Sequence, residues 1–281
     1  SVWIKLNKSW RAHIWKKVMK KVVFFGAGNI AQALIAGMIS SGFNKKDILF
    51  VDRNIKNKNI MKKAGIKEYS FKKDRSNCLF FLAVKPKDAL NAFKEICEEY
   101  KKPTIVSLVA GIKSKKYLSI SKDIQFIRAM PNTPSEFNKG ITAIYNVSGS
   151  LATIKKVRAL LNRVGITLEL DKETKMNDFT GLIGSGPAYF FYLLKIYEKR
   201  ILKLCNGDTK LRDKILGNLM EGVGIASKNN KAMDELISAV ASKKGTTEAG
   251  LKSFKSSKIL NSFEKGIIAA VNRSKEISNE F

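Results

Sequence analysis

Histidine is nearly missing from this chain, with one, His13, among 281 residues. It lies upstream of the first expected strand, so imidazole catalysis and histidine metal sites have nothing to build on. The three cysteines, Cys78, Cys97 and Cys205, are odd in number and form neither a Cys-x-x-Cys pair nor a metal-ligand spacing. A disulfide framework is excluded, no metal is expected, and a reducing compartment follows. No apolar run approaches the ~20 residues that cross a bilayer. Acidic residues number 24 against 52 lysines and arginines, a formal net charge of +28.

That charge alone would suggest nucleic acid or an anionic membrane as partner. Its distribution argues otherwise: lysine pairs such as Lys45-Lys46, Lys101-Lys102 and Lys155-Lys156 are spread through helices and turns, without interleaved aromatics. A solvated surface that attracts an anionic cofactor and substrate explains this equally well. Residues 1–18 are basic, contain tryptophan and lack acidic residues. They resemble an organelle-targeting segment, whereas Met19-Lys20-Lys21 before the first strand would also serve as an ordinary start of a cytoplasmic protein. They are treated as an N-terminal extension, with disorder one expectation for it.

A glycine-rich turn is the strongest positive signal. Val22-Val23-Phe24-Phe25-Gly26-Ala27-Gly28-Asn29-Ile30-Ala31 sets such a turn between a buried strand and an amphipathic helix. Gly26 permits the tight turn, Gly28 lets a pyrophosphate approach the backbone, and Ala31 lets the helix pack close to the strand. A second strand, Ile48-Leu49-Phe50-Val51, completes a βαβ unit and ends at Asp52. A carboxylate there suits the adenosine ribose of NAD, while Arg53 and Lys56 could neutralise the extra phosphate of NADP. Asp52 and Arg53 could also simply cap the next helix.

The alternation continues with a helix over 55–64, a strand over 78–84, a helix over 87–98 and a strand over 104–109. A short helix over 114–118, strands over 125–129 and 141–145, a helix over 151–164 and a strand over 167–170 follow. The expected class is α/β: a Rossmann-type, doubly wound parallel sheet over 19–170, then an all-helical domain over 171–281. Within the latter, the segment 190–201 and the set Ile215, Leu219, Val223, Ile225 and Ala226 are apolar beyond what a small domain can bury. A dimer would cover them; a compact monomer is the alternative.

Five more segments carry chemistry. Ala83-Val84-Lys85-Pro86 ends the third expected strand at the carboxyl edge, where ligands bind in open α/β sheets. Ala110 and Gly111 end the fourth, their small side chains leaving room for a nicotinamide. Arg128-Ala129-Met130-Pro131-Asn132-Thr133-Pro134 forms a rigid loop at the same edge. Gly184-Ser185-Gly186-Pro187-Ala188 interrupts an expected helix over 175–199, a break costing several kcal/mol of helix propensity. Finally, Ser242-Lys243-Lys244-Gly245-Thr246-Thr247 opens a helix with amides and hydroxyls able to hold a carboxylate.

Taken in order, these segments resemble pyrroline-5-carboxylate reductase, the enzyme of the last step of proline biosynthesis, from about Met19 to the last helix. The resemblance implies hydride transfer from NADPH or NADH to a cyclic imine, in a homodimer or an assembly of dimers. It places the substrate carboxylate on Ser242, Gly245, Thr246 and Thr247, with Thr247 near the ring nitrogen and Ser242 and Thr247 the catalytic candidates. It puts the cofactor along Gly26, Ala27, Gly28, Asn29, Ile30, Ala31, Asp52, Arg53, Ala83, Val84, Lys85, Pro86, Ala110, Gly111 and Asn132. Two departures stand out. The family's Ser-Pro-Gly-Gly-Thr-Thr reads Ser-Lys-Lys-Gly-Thr-Thr here, and if the replaced glycine has a positive φ, Lys244 is strained. An acidic residue and a His-Pro pair usual before this loop are absent from Lys228-Asn229-Asn230-Lys231-Ala232-Met233. The rival readings are a β-hydroxyacid-type dehydrogenase, with Lys175 or Lys195 catalytic, and a degraded reductase fold acting as a basic binding protein.

Overall fold

The computed structural model describes residues 21–71 and 77–280; His13 and the extension over 1–18 lie outside them. Eight strands form one sheet in the order β3-β2-β1-β4-β5-β6-β7-β8. They are β1 (Lys21–Phe25), β2 (Ile48–Val51), β3 (Lys67–Glu68), β4 (Cys78–Leu82), β5 (Thr104–Ser107), β6 (Gln125–Met130), β7 (Gly140–Asn146) and β8 (Gly165–Glu169). The helices among them are α1 (Asn29–Ser40), α2 (Ile55–Lys63), α3 (Pro86–Glu99), α4 (Ser114–Leu118) and α5 (Leu151–Leu161).

Because successive strand side chains point to opposite faces, β1 feeds two cores. Val22 and Phe24 enter one with Leu34 and Met38 of α1 and Leu160 and Leu161 of α5. Val23 and Phe25 enter the other with Phe93 and Ile96 of α3 and Tyr117 of α4. Phe24 stacks on Phe81 of the neighbouring strand at 4.9 Å between ring centroids. Burial on both faces is what the continuous apolar runs of β1 and β4 require of a parallel sheet.

The Rossmann-type α/β class holds, with one correction: the sheet is not wholly parallel, since β7 runs antiparallel to β6. Residues 131–139 between them are too few for a crossover, so the chain turns straight back. β8 then pairs parallel to β7 across the α5 crossover. The two-residue β3 on the edge beside β2 was not expected.

Beyond β8 the chain is helical: α6 (Lys175–Phe179), a π-turn over Thr180–Gly184, α7 (Gly186–Leu204), α8 (Thr209–Ala226), α9 (Met233–Val240), α10 (Thr246–Ser256) and α11 (Ile259–Glu280). The expected break at Gly184-Ser185-Gly186-Pro187 is this π-turn, closed by the Ser185 amide donating to the Thr180 carbonyl at 3.0 Å. Packing divides the chain at the same place. One compact unit runs through Ser185 and takes in Ala269 onward; the other is Gly186–Ile268. In the second unit Tyr189 and Phe190 pack on Phe263, and Arg212 bridges Glu198 at 3.4 Å.

Candidate active site

The turn after β1 is shaped by contact with the end of β4. Gly26 has φ +95°, and a Cβ there would stand 2.5 Å from the Ala83 carbonyl carbon. Only glycine fits. Its amide donates to the Val51 carbonyl at 2.8 Å and the Ala83 amide to the Phe25 carbonyl at 2.6 Å, tying the ends of β1, β2 and β4 together. Gly28 is the N-cap of α1, and no acidic residue lies in the first turn. A Cβ on Gly28 would meet nothing within 4 Å. Open space thus lies beside Gly28, and the first-turn amides of Asn29, Ile30 and Ala31 have no intrahelical acceptor. That geometry suits a pyrophosphate.

Asp52 is engaged by its own surroundings. Its Oδ2 accepts from the Ala27 amide at 2.7 Å and from Asn57 Nδ2 at 3.0 Å, and its Oδ1 from the Asn54 amide at 2.7 Å. Neither Asp52 nor Arg53 caps the next helix: Asn54 is the N-cap of α2, its side chain accepting from the Asn57 amide. Arg53 is exposed and makes no ion pair among the described residues. Lys85 is the N-cap of α3, and Pro86 takes the first helical position, where its missing N–H costs nothing.

A cleft of about 330 Å³ runs along this edge, lined by Gly26, Gly28, Asp52, Arg53, Ala83, Val84 and Lys85 among others. The structure thus brings seven of the expected cofactor residues onto one surface. Asn54, Asn57 and, from α3, Asp88, Asn91 and Glu95 line it as well, and the sequence reading did not single them out. An asparagine two residues beyond a strand-end aspartate is a turn signal that would have found the first of these.

Ala110, Gly111 and Asn132 lie elsewhere on the carboxyl edge. Gly111 has φ +84°, and a Cβ there would be 2.5 Å from Ile277 Cγ2. Asn132 is buried; its Oδ1 accepts from the Ile141 amide at 2.8 Å and its Nδ2 donates to the Ile183 carbonyl at 3.3 Å. Its side chain braces β7 and the π-turn. Nearby, burial pushes the Tyr117 phenol up to about 12, against the opposing pull of its Ser107 hydrogen bond and of Arg128.

In the second unit, Ser242, Gly245, Thr246 and Thr247 form one turn at the start of α10. The Gly245 amide donates to the Ser242 carbonyl at 3.0 Å, and any Cβ on Gly245 would collide with Ser242 Oγ. Gly245 is the N-cap, so Thr246 and Thr247 are the first helical residues, their hydroxyls beside first-turn amides. Lys244 has φ +58°, the left-handed conformation foreseen as strained. Its amide donates to the Glu248 carboxylate, a cap that supports the turn.

Fold and cleft together define a dinucleotide-dependent oxidoreductase. Residues 173–277 match a family model described as pyrroline-5-carboxylate reductase dimerisation, and residues 21–111 one described as NADP oxidoreductase, coenzyme F420-dependent. The pyrroline-5-carboxylate reductase of Pseudomonas aeruginosa is 31% identical over 92% of this chain and 97% of its own. Among solved structures, that of the Coxiella burnetii pyrroline-5-carboxylate reductase has a TM-score of 0.77 at 25% identity, covering 92% of this chain and 99% of its own. The Plasmodium falciparum enzyme with NADP bound, at 22% identity, TM-score 0.80 and the same coverages, shares the fold. This chain belongs to the pyrroline-5-carboxylate reductase family.

Proposed function

We propose that this chain reduces pyrroline-5-carboxylate to proline, closing proline biosynthesis, with NADPH the preferred hydride donor. The observation that carries the reading is that one chain holds both a glycine-shaped anion cradle at Gly26 and Gly28 and a hydroxyl-bearing helix start at Thr246 and Thr247.

When bound, the cofactor supplies the hydride. The first-turn amides of α1 would hold its pyrophosphate, with Val84 and Lys85 of the cleft beside it. Asp52 already serves three donors, and of the two nearby cations, Arg53 and Lys56, it is Arg53 that lines the cleft, its charge suited to a 2′-phosphate. The amides at the start of α10 and the Ser242 and Thr246 hydroxyls orient the substrate carboxylate, and Thr247 hydrogen-bonds the ring nitrogen. A protonated cyclic imine accepts hydride at carbon and becomes a neutral amine, so no alkoxide needs a proton. Orientation and modest electrostatics suffice, which fits a chain without histidine among its described residues.

We further assign residues 19–170 to cofactor binding and 171–281 to substrate binding and dimerisation. Five large apolar side chains of α7, Phe190, Phe191, Tyr192, Ile196 and Tyr197, are exposed in the single chain, and a second copy would bury them. No specific observation favours a β-hydroxyacid dehydrogenase or a basic binding protein. The test is loss of reduced-nicotinamide absorbance with pyrroline-5-carboxylate, using NADPH and NADH separately. Faster oxidation of NADPH with proline as product is expected; no oxidation of either by folded protein would overturn the reading.

A further inference from the structure

A buried guanidinium cannot shed its proton and must find a carboxylate or several acceptors. Arg128 sits in the middle of β6, 5% exposed. Its Nη1 donates to Glu173 Oε1 at 2.8 Å and its Nη2 to the Val109 carbonyl at 3.3 Å. Glu173 in turn accepts from the Ser114 amide at 2.7 Å through Oε1 and from the Ser114 hydroxyl at 2.9 Å through Oε2. The segment that leaves β5 is therefore gripped at both ends by one ion pair. Between the grips, the Val109 amide donates to Ser107 Oγ at 3.3 Å, and Val109 and Ile112 are buried. Gly111 is backed by Ile277, so the segment has no room to retreat.

A buried ion pair is weak evidence for stability, since apolar residues of similar volume often replace one without loss. What this pair does that an apolar pair could not is fix backbone groups, the Val109 carbonyl and the Ser114 amide. We propose that Arg128 and Glu173 are positioning residues for hydride transfer, holding Ala110 and Gly111 at the height the nicotinamide ring requires. The inference rests on the reading of Ala110 and Gly111 as the small residues that leave room for that ring, and so form the floor against it. Hydride transfer needs reacting atoms within ~3–3.5 Å, and a misplacement of ~1 Å can cost about a hundredfold in rate.

The test compares the full chain with two variants, Glu173→Gln, which removes the charge at constant size, and Ser114→Ala, which removes one hydrogen bond and no charge. Steady-state kinetics with pyrroline-5-carboxylate are run beside fluorescence titration of NADPH. Glu173→Gln is expected to lower kcat about tenfold or more and Ser114→Ala roughly threefold, with the NADPH Kd within about twofold in both. The fluorescence of the bound nicotinamide should fall in the same order. Wild-type kcat in both folded variants, or a Kd that rises in step with the loss of kcat, would overturn the proposal. If Glu173→Gln does not fold, Ser114→Ala decides alone. If the unmodified chain does not turn over pyrroline-5-carboxylate, the assigned reaction fails, and the bound-nicotinamide fluorescence still decides between a held and an unheld floor.

Discussion

The two compact units bury their apolar residues very differently. In the first, the strands β1 and β4 are buried almost end to end, and helices close both faces of the sheet. In the second, α8, α9 and α10 have no buried residue at all, and α7 buries only Gly186 and Ile201. Phe191 and Tyr192 are 67% and 73% exposed, and Val223 and Ile225 of α8 are also open. One unit carries its own core; the other leaves large apolar side chains exposed along its helices, as an interaction face does. The cleft read as the cofactor site lies on the first, where the sheet gives it a rigid edge. The turn read as the substrate site is built on helices whose burial a second copy would complete.

The sharpest break in that contrast is a charge on α7. Phe191→Glu should abolish the dimer and the activity, because burying an unpaired carboxylate costs several kcal/mol. Light scattering would give the mass of one chain in place of two, while the first unit, judged by NADPH binding, persists. A milder cut within the second unit is Thr247→Ala, expected to lower kcat by about tenfold or more through a lost hydrogen bond to the ring nitrogen. Kinetics with saturating cofactor would show it, and unchanged turnover would remove Thr247 from the site.

Much of this was legible in the sequence, and where it was not, the reason is physical. Apolar runs marked seven of the eight strands. The two-residue β3, Lys67–Glu68, has no apolar residue to mark it. Strand direction is not written in a burial pattern; the reversal of β7 shows only in the short connection over 131–139, too few residues for a crossover. Gly26, read as permitting a tight turn, has φ +95°, and Lys244, strained if the glycine it replaces in the family's motif has a positive φ, has φ +58°. The roles of Asp52 and Arg128 were hidden because their partners, Ala27 and Glu173, are 25 and 45 residues away. A lone arginine in an apolar strand signals that a carboxylate is somewhere, but not which one.

Returning to the first unit, Arg53→Ala should raise the KM for NADPH about tenfold through loss of a charge-assisted phosphate contact. The KM for NADH and the oligomer mass should not change; equal effects on both cofactors would move the 2′-phosphate contact elsewhere. The smallest expected effect is in the second unit. Lys244→Gly relieves a left-handed backbone and should stabilise the protein by about 0.5–1 kcal/mol after the entropy glycine adds to the unfolded chain. Denaturant melts with an unchanged slope would register it.

The most direct test of the central claim follows the hydride itself. Protein is incubated with pyrroline-5-carboxylate and NADPH carrying deuterium at the transferable position of nicotinamide C4, and the product is analysed by mass spectrometry. Proline with one deuterium at C5 is the predicted result. Absence of proline, or proline without the label from folded protein that binds NADPH, would contradict the account.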